Sequence, residues 1–158
     1  MKTRLFLYIL LVLGVAAQVV LMMRLSWFPD LVLLMVVFVS IFRRVGESIV
    51  FSFVAGFLRG CFSLGTLGVD ILLFPAVSAL SSMLAKMFYR QNPAAQIFIT
   101  TIAFAVVLGS HTFYLNVTGD SNIAFSSAVS ANWRHMAATI FICPFAYAAV
   151  KGLLRLEE

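Results

Sequence analysis

The chain has 158 residues, of which 63% are apolar and only 11% are charged, and its mean hydropathy is +1.06. Soluble domains have about 45–50% apolar and about 25% charged residues, so this composition excludes an ordinary soluble domain and predicts an integral membrane protein. The net charge of +5 does not point to nucleic acid, because the basic residues stand at the ends of apolar runs. That placement is typical of signals that orient membrane helices.

Six apolar segments predict an all-α fold, a compact bundle of six transmembrane helices that forms a single domain over residues 1–158. At about 20 residues per span, the length leaves almost no room for a domain outside the membrane. The predicted spans are residues 5–23, 31–42, 48–62, 70–88, 96–115 and 134–150.

Pro29 and Asp30 open the second predicted span. Proline is tolerated in the first turn of a helix, and an aspartate there complements the helix dipole. The apolar segment that follows, 31–42, is short for a membrane span. We therefore expect this helix to be tilted, partly re-entrant or shielded by its neighbours.

The stretch from Gly56 to Asp70 differs from the rest of the chain, because it contains four glycines, an arginine and an aspartate. Gly56 and Gly60 are four residues apart, so they share one helix face and allow another backbone to approach closely. The turn is expected from Gly65 through Leu67 to Gly68. The sequence predicts a bend that packs against the chain's own helices or against a partner's transmembrane helix.

Arg59 and Asp70 are the two charges in this stretch, and two interpretations are open for them. Either charge could face a groove that receives a partner helix or a lipid headgroup, since a charge at membrane depth is a candidate functional site. Alternatively, Arg59 extends to the outer headgroups and Asp70 caps the fourth helix.

The distribution of basic residues predicts the orientation of the chain. If the N-terminus is cytoplasmic and the chain crosses six times, eight Lys and Arg residues lie inside and three lie outside. This asymmetry follows the positive-inside rule, so both termini are expected in the cytoplasm. The inner set is Lys2, Arg4, Arg43, Arg44, Lys86, Arg90, Lys151 and Arg155, and the outer set is Arg24, Arg59 and Arg134.

Residues that could carry catalysis are sparse, so no enzyme activity, cofactor or metal is predicted. His111 and His135 are the two histidines, and an isolated histidine near an interface is usually a structural group. Cys61 and Cys143 are too few and too far apart for a metal site or a disulfide framework, which leaves two ordinary buried cysteines.

Several motifs stand in the order found in one bacterial family. The second span begins Pro29-Asp30-Leu31-Val32-Leu33-Leu34 and is followed by Arg43 and Arg44. The third contains Gly56-Phe57-x-x-Gly60, and a short turn ends in Thr66-Leu67-Gly68-Val69. In these motifs, and in its size and six spans, the chain resembles the rod shape-determining MreD family. The family commonly places an aspartate between the second glycine and the turn, where this chain has no acid.

The resemblance implies a non-enzymatic scaffold in the cytoplasmic (inner) membrane that serves cell-wall elongation. The implied partner is an MreC-like bitopic membrane protein, with indirect links to MreB filaments and to the glycosyltransferase and transpeptidase that build peptidoglycan. The implied contact or packing residues are Pro29, Asp30, Gly56, Arg59, Gly60, Gly65, Leu67, Gly68 and Asp70.

The family is also similar to the substrate-binding subunits of energy-coupling-factor transporters, and a vitamin-uptake subunit is the alternative function. Such a subunit needs a polar pocket lined by aromatic side chains. The sequence offers Phe113, Tyr114 and Trp133 near the predicted outer side but few hydrogen-bonding groups expected to converge. An intramembrane enzyme is a distant third possibility.

Overall fold

A computed structural model of the chain describes residues 2–22, 27–62, 67–88, 92–118 and 124–154. These residues form six α-helices, which confirms the predicted all-α fold. The helices are α1 (Lys2–Met22), α2 (Leu31–Phe42), α3 (Val45–Phe62), α4 (Leu67–Met87), α5 (Pro93–Thr118) and α6 (Phe125–Leu154).

Four of these helices, α3 to α6, are long and apolar enough to cross a membrane. The apolar parts of α1 and α2, Leu5–Leu21 and Leu31–Phe42, are shorter. The number of long helices is therefore lower than the six predicted spans, and the difference lies in the first two segments.

The short helix α2 is the centre of the fold. All ten residues from Val32 to Ile41 are buried, and α2 packs against each of the other five helices. A helix that is apolar on every face is stable where protein surrounds it on every face. Of the three possibilities for this short segment, the structure therefore favours shielding by neighbours.

Helices α3 and α4 form the most extensive helix pair. Gly56 lies where they meet, and a Cβ atom built on it would overlap the backbone carbonyl of Asp70 and come within 3.2 Å of the Cα of Ile71. The absent side chain lets the two backbones touch, as small residues do in packed membrane helices. Gly56 is therefore packed against the chain's own helix.

Buried polar side chains join helices within the apolar interior. Ser40 of α2 shares a hydrogen bond of 2.8 Å with Ser78 of α4, and the Ser82 hydroxyl donates to the backbone oxygen of Ser40. On the other side, the Thr100 hydroxyl of α5 lies 3.1 Å from the Tyr147 hydroxyl of α6. Such bonds within a membrane contribute about 0.6 kcal/mol each on average.

Helix α6 begins nine residues before the predicted span at residue 134. The polar segment from 125 to 133 is helical, and its polar side chains bond back to carbonyls three or four residues earlier. Ser127 donates to Ala124, Ser130 to Ser127, and Asn132 to Ala128. The sixth helix therefore extends beyond the apolar segment that predicted the span.

The two cysteines differ in their surroundings. Cys143 is buried and lies 3.2 Å from the Thr100 hydroxyl, whereas Cys61 is exposed on α3. The prediction of two buried cysteines is therefore wrong for Cys61.

Candidate functional site

A polar cluster lies at one end of the structure and receives side chains from all six helices. Successive helices run in opposite directions, so the ends of α1, α3 and α5 meet the starts of α2 and α4 and the first half of α6. We use the name polar cluster for Gln18, Asp30, Arg59, Asp70, His111, His135 and Thr139.

Asp30 is the most connected member of the polar cluster. Its carboxylate caps α2 by accepting from the backbone N–H of Leu33 at 3.0 Å, and its Oδ2 lies 2.6 Å from Nη1 of Arg59. The Gln18 amide donates to its Oδ1 at 3.3 Å, while its backbone N–H donates to Thr139 at 2.9 Å. Pro29, also buried, precedes it as the sequence predicted. One aspartate therefore connects α1, α2, α3 and α6.

Arg59 is held inside the chain rather than extended into headgroups. Its side chain is only 20% exposed, pairs with Asp30, and lies 5.3 Å from the centre of the Phe74 ring. Asp70 is also near enough to act on its charge. Buried charges require such partners, because removing an ion from water is expensive. The structure therefore does not support the interpretation in which the Arg59 side chain extends to the headgroups.

Asp70 lies within α4 rather than at its cap, because α4 begins three residues earlier, at Leu67. Its side chain is fully buried, and its Oδ1 lies 2.8 Å from Nε2 of His111 on α5. Since a carboxylate accepts, the histidine donates from Nε2. The predicted capping role is replaced by a contact that joins α4 to α5.

The remaining residues predicted for the site have different positions. Gly60 is buried on α3, while Gly68 is exposed in the first turn of α4. Leu67 is the first residue of that helix, and Gly65 lies outside the described residues. The structure thus brings Asp30, Arg59 and Asp70 together, and Gly56 lies against the backbone of Asp70. A role of these residues in binding a partner stays a prediction.

Four members of the polar cluster were not among the predicted site residues: Gln18, His111, His135 and Thr139. His135 donates from Nδ1 to the backbone oxygen of Phe28 at 2.9 Å, and Thr139 donates to the backbone oxygen of His135. The sequence did contain a signal for these four residues, because each is a polar residue in an apolar helix. What sequence reasoning lacked was the direction in which each side chain points.

A cavity of about 570 Å³ opens beside the polar cluster, between α5 and α6. Its charged and titratable lining comes from Asp30, Arg59, His111 and His135, with Asn132 nearby. The expectation of few convergent hydrogen-bonding groups was therefore wrong. The other lining residues are Phe104, Val107, Leu108, Thr112, Leu115, Ser127, Ala128 and Ala131.

The aromatic residues considered for a vitamin pocket do not line this cavity. Phe113 is 71% exposed and Trp133 is 53% exposed. Among the described lining residues, Phe104 is the one Phe, Tyr or Trp. Within the described ranges, no group of three His, Cys, Asp or Glu residues could hold a metal ion.

A second concave surface lies on the side of the structure, between α1, α2 and α6. This apolar groove has a volume of about 290 Å³ and is walled partly by small residues, Gly14, Ala17 and Ala146. Its other lining residues are Leu10, Leu13, Leu31, Leu34, Met35, Phe38, Tyr147 and Val150.

Comparison with known proteins gives one match. No curated protein and no solved structure matches the chain, so the likeness to transporter subunits stays a prediction. The family model described as rod shape-determining protein MreD matches residues 2–156, nearly the whole chain. The four helices long enough to span a membrane agree with the membrane character predicted from composition. This membrane protein therefore belongs to the MreD family, which implies a role in rod shape determination.

Proposed function

We propose that the chain is a non-enzymatic membrane scaffold of bacterial cell-wall elongation that binds an MreC-like bitopic protein. Through that partner it is linked to MreB filaments and to the glycosyltransferase and transpeptidase of wall synthesis. It lies in the cytoplasmic membrane, and both termini are cytoplasmic. The family match and the charge asymmetry of the sequence support this proposal.

The structural observation that carries the proposal is the apolar groove. A bitopic partner has a single transmembrane helix, which needs an apolar surface on the side of its scaffold. Gly14, Ala17 and Ala146 leave space where larger side chains would fill the groove. Small residues of this kind allow a second helix to approach closely within a membrane.

Gly56, which the sequence singled out, does not provide this surface. Gly56 is covered by the backbone of α4, and the polar cluster around it is occupied by contacts within the chain. We therefore place the partner's transmembrane helix in the apolar groove and assign Gly56 to packing within the chain.

The test is co-purification of the tagged protein from membranes, followed by mass spectrometry of its partners and retained small molecules. Recovery of an MreC-like protein with wall synthases is expected. A matched pair of variants locates the contact. Ala146→Leu fills the groove, whereas Ala149→Leu adds the same bulk at an exposed position of the same helix.

Ala146→Leu is expected to reduce recovery of the bitopic partner, and Ala149→Leu is expected to leave it unchanged. Equal recovery with both variants would remove the groove from the proposal. The cavity beside the polar cluster favours the alternative function, a vitamin-uptake subunit. Recovery of transporter ATPases and a bound vitamin would establish that alternative and contradict the scaffold.

A further inference from the structure

The cavity between α5 and α6 presents several hydrogen-bond acceptors, because polar side chains of these two helices donate to backbone carbonyls nearby. Thr112 donates to the backbone oxygen of Leu108, and Ser127 donates to that of Ala124. Asn132 donates one Nδ2–H to the backbone oxygen of Ala128, which leaves its Oδ1 as an acceptor and its second N–H as a donor. A ligand that enters beside these three side chains meets oxygen lone pairs.

The histidine of α6 continues this pattern. His135 donates from Nδ1 to the backbone oxygen of Phe28, so in the neutral ring Nε2 accepts. His111 donates from Nε2 to Asp70, which makes Nδ1 the acceptor of its neutral ring. Both imidazoles line the cavity.

The charges favour a cation next to these acceptors. Asp30 and Asp70 carry two negative charges around the single positive charge of Arg59. Asp30 lines the cavity, so its carboxylate attracts a cationic group that is placed there.

Arg59 adds a separate feature to the lining of the cavity. One of its N–H groups donates to Asp30, and a guanidinium has five N–H donors in all. Arginine binds phosphate well, since its donors match the phosphate oxygens. The cavity therefore offers acceptors on the α6 wall and a phosphate-binding donor on the α3 wall.

From this arrangement we infer that the cavity binds a headgroup that contains a primary ammonium and a phosphate. The ammonium donates to Asn132 and His135, and Arg59 binds the phosphate. The mouth of the cavity lies at the exposed residues Ser127 and Ala131, between two membrane-spanning helices. The volume of about 570 Å³ is within the usual range of about 300–1,000 Å³ for ligand pockets.

Two sources share this chemistry, an aminophospholipid and a soluble phosphoethanolamine, and one binding experiment separates them. The full chain, purified in detergent and stripped of lipid, is mixed at pH 8 with phosphatidylethanolamine or phosphatidylcholine and analysed by native mass spectrometry. The two lipids have the same charges, but the trimethylammonium of phosphatidylcholine has no N–H donor. O-Phosphoethanolamine is then added as a competitor.

Phosphatidylethanolamine is expected to bind about tenfold more tightly than phosphatidylcholine, which corresponds to about one charge-assisted hydrogen bond. Displacement of the lipid by equimolar O-phosphoethanolamine would identify a soluble ligand, and failure to displace it would identify the lipid. Equal binding of the two lipids, or a preference for the anionic phosphatidylglycerol, would overturn the inference.

Two substitutions at one rim position give a further test that does not depend on a single variant. Asn132→Leu removes the acceptor at similar volume and is expected to weaken phosphatidylethanolamine binding several-fold. Asn132→Asp keeps an acceptor, adds negative charge and is expected to strengthen it. A ligand held by its phosphate alone would respond to Asn132→Asp in the opposite direction, which would contradict the inference. Thermal unfolding of both variants verifies that each is folded.

Discussion

The polar cluster and the apolar groove both adjoin α2, yet their side chains are used differently. In the polar cluster, the groups that carry charge contact one another across helices: Asp30 binds Arg59 and Asp70 binds His111. In the groove, the lining side chains are apolar apart from the Tyr147 hydroxyl, which is directed to Thr100. The polar cluster stabilises the chain itself, and the groove is left for another molecule.

This difference predicts that the stability of the chain and the binding of a partner depend on different residues. In lipid, apolar side chains gain little by leaving the solvent, so packing and polar contacts hold helices together. Substitutions in the polar cluster should therefore lower the free energy of unfolding. Substitutions in the groove should change partner capture while the free energy of unfolding stays nearly constant.

The largest effect is expected from Arg59→Ala. Removing the guanidinium leaves Asp30 buried without its counter-ion, and breaking a buried pair in this way costs about 3–5 kcal/mol. The free energy of unfolding in detergent measures the change. Arg134→Ala is the matched control, because Arg134 is exposed and contacts the ring of its neighbour Trp133. Equal effects of the two substitutions would show that the pair does not stabilise the fold.

Gly56→Ala is expected to have the next largest effect. The new methyl group would overlap the carbonyl of Asp70, and backbone cannot move aside as a flexible side chain can. Overpacking of this kind lowers the free energy of unfolding by about 1–3 kcal/mol. Gly68→Ala is the control, since a Cβ at Gly68 has no atom within 4 Å in the described structure. A Gly68 effect as large as that of Gly56 would contradict close packing of α3 on α4.

His111→Phe tests the second charged contact. The substitution keeps an aromatic ring but removes the donor to the fully buried Asp70, and we expect a loss of about 1.5 kcal/mol. His111→Gln, which keeps an N–H donor, should restore part of that loss. If Phe and Gln were equally tolerated, the hydrogen bond to Asp70 would not contribute to stability.

The smallest change in stability, about 0.5 kcal/mol or less, is expected for Ala17→Leu in the groove. The added side chain fills space between α1 and α2, so capture of the bitopic partner should fall. Ala16→Leu adds the same side chain at the adjacent, exposed position and should leave capture intact. Loss of capture with both variants would mean that the whole surface of α1, rather than the groove, contacts the partner.

Much of the fold could be predicted from the sequence because apolar runs and helix-start signals are local. Pro29 and Asp30 marked the start of α2 correctly, and Gly56 indicated a close helix contact. The central position of α2 could not be predicted, since its hydropathy is the same whether protein or lipid surrounds it. For the same reason, a short apolar segment could be interpreted as tilted, re-entrant or shielded.

The composition of the polar cluster was only partly predictable. Asp30, Arg59 and Asp70 were visible as charges within apolar surroundings. Gln18, His111 and Thr139 belong to three other helices, and their convergence depends on the rotation of each helix about its axis. The rotation depends on packing between distant segments, which a single sequence does not encode in any local pattern.

The central claim, that the polar cluster holds the chain's own helices together, is tested most directly by a double-mutant cycle on Asp30 and Arg59. The variants are Asp30→Asn, which keeps an oxygen to cap α2, Arg59→Gln, and the two combined. If the pair is a direct contact, the effects on the free energy of unfolding will not add, and the coupling will be about 1–3 kcal/mol. Single effects that add within about 0.5 kcal/mol would show that the two residues act independently, and would contradict the claim.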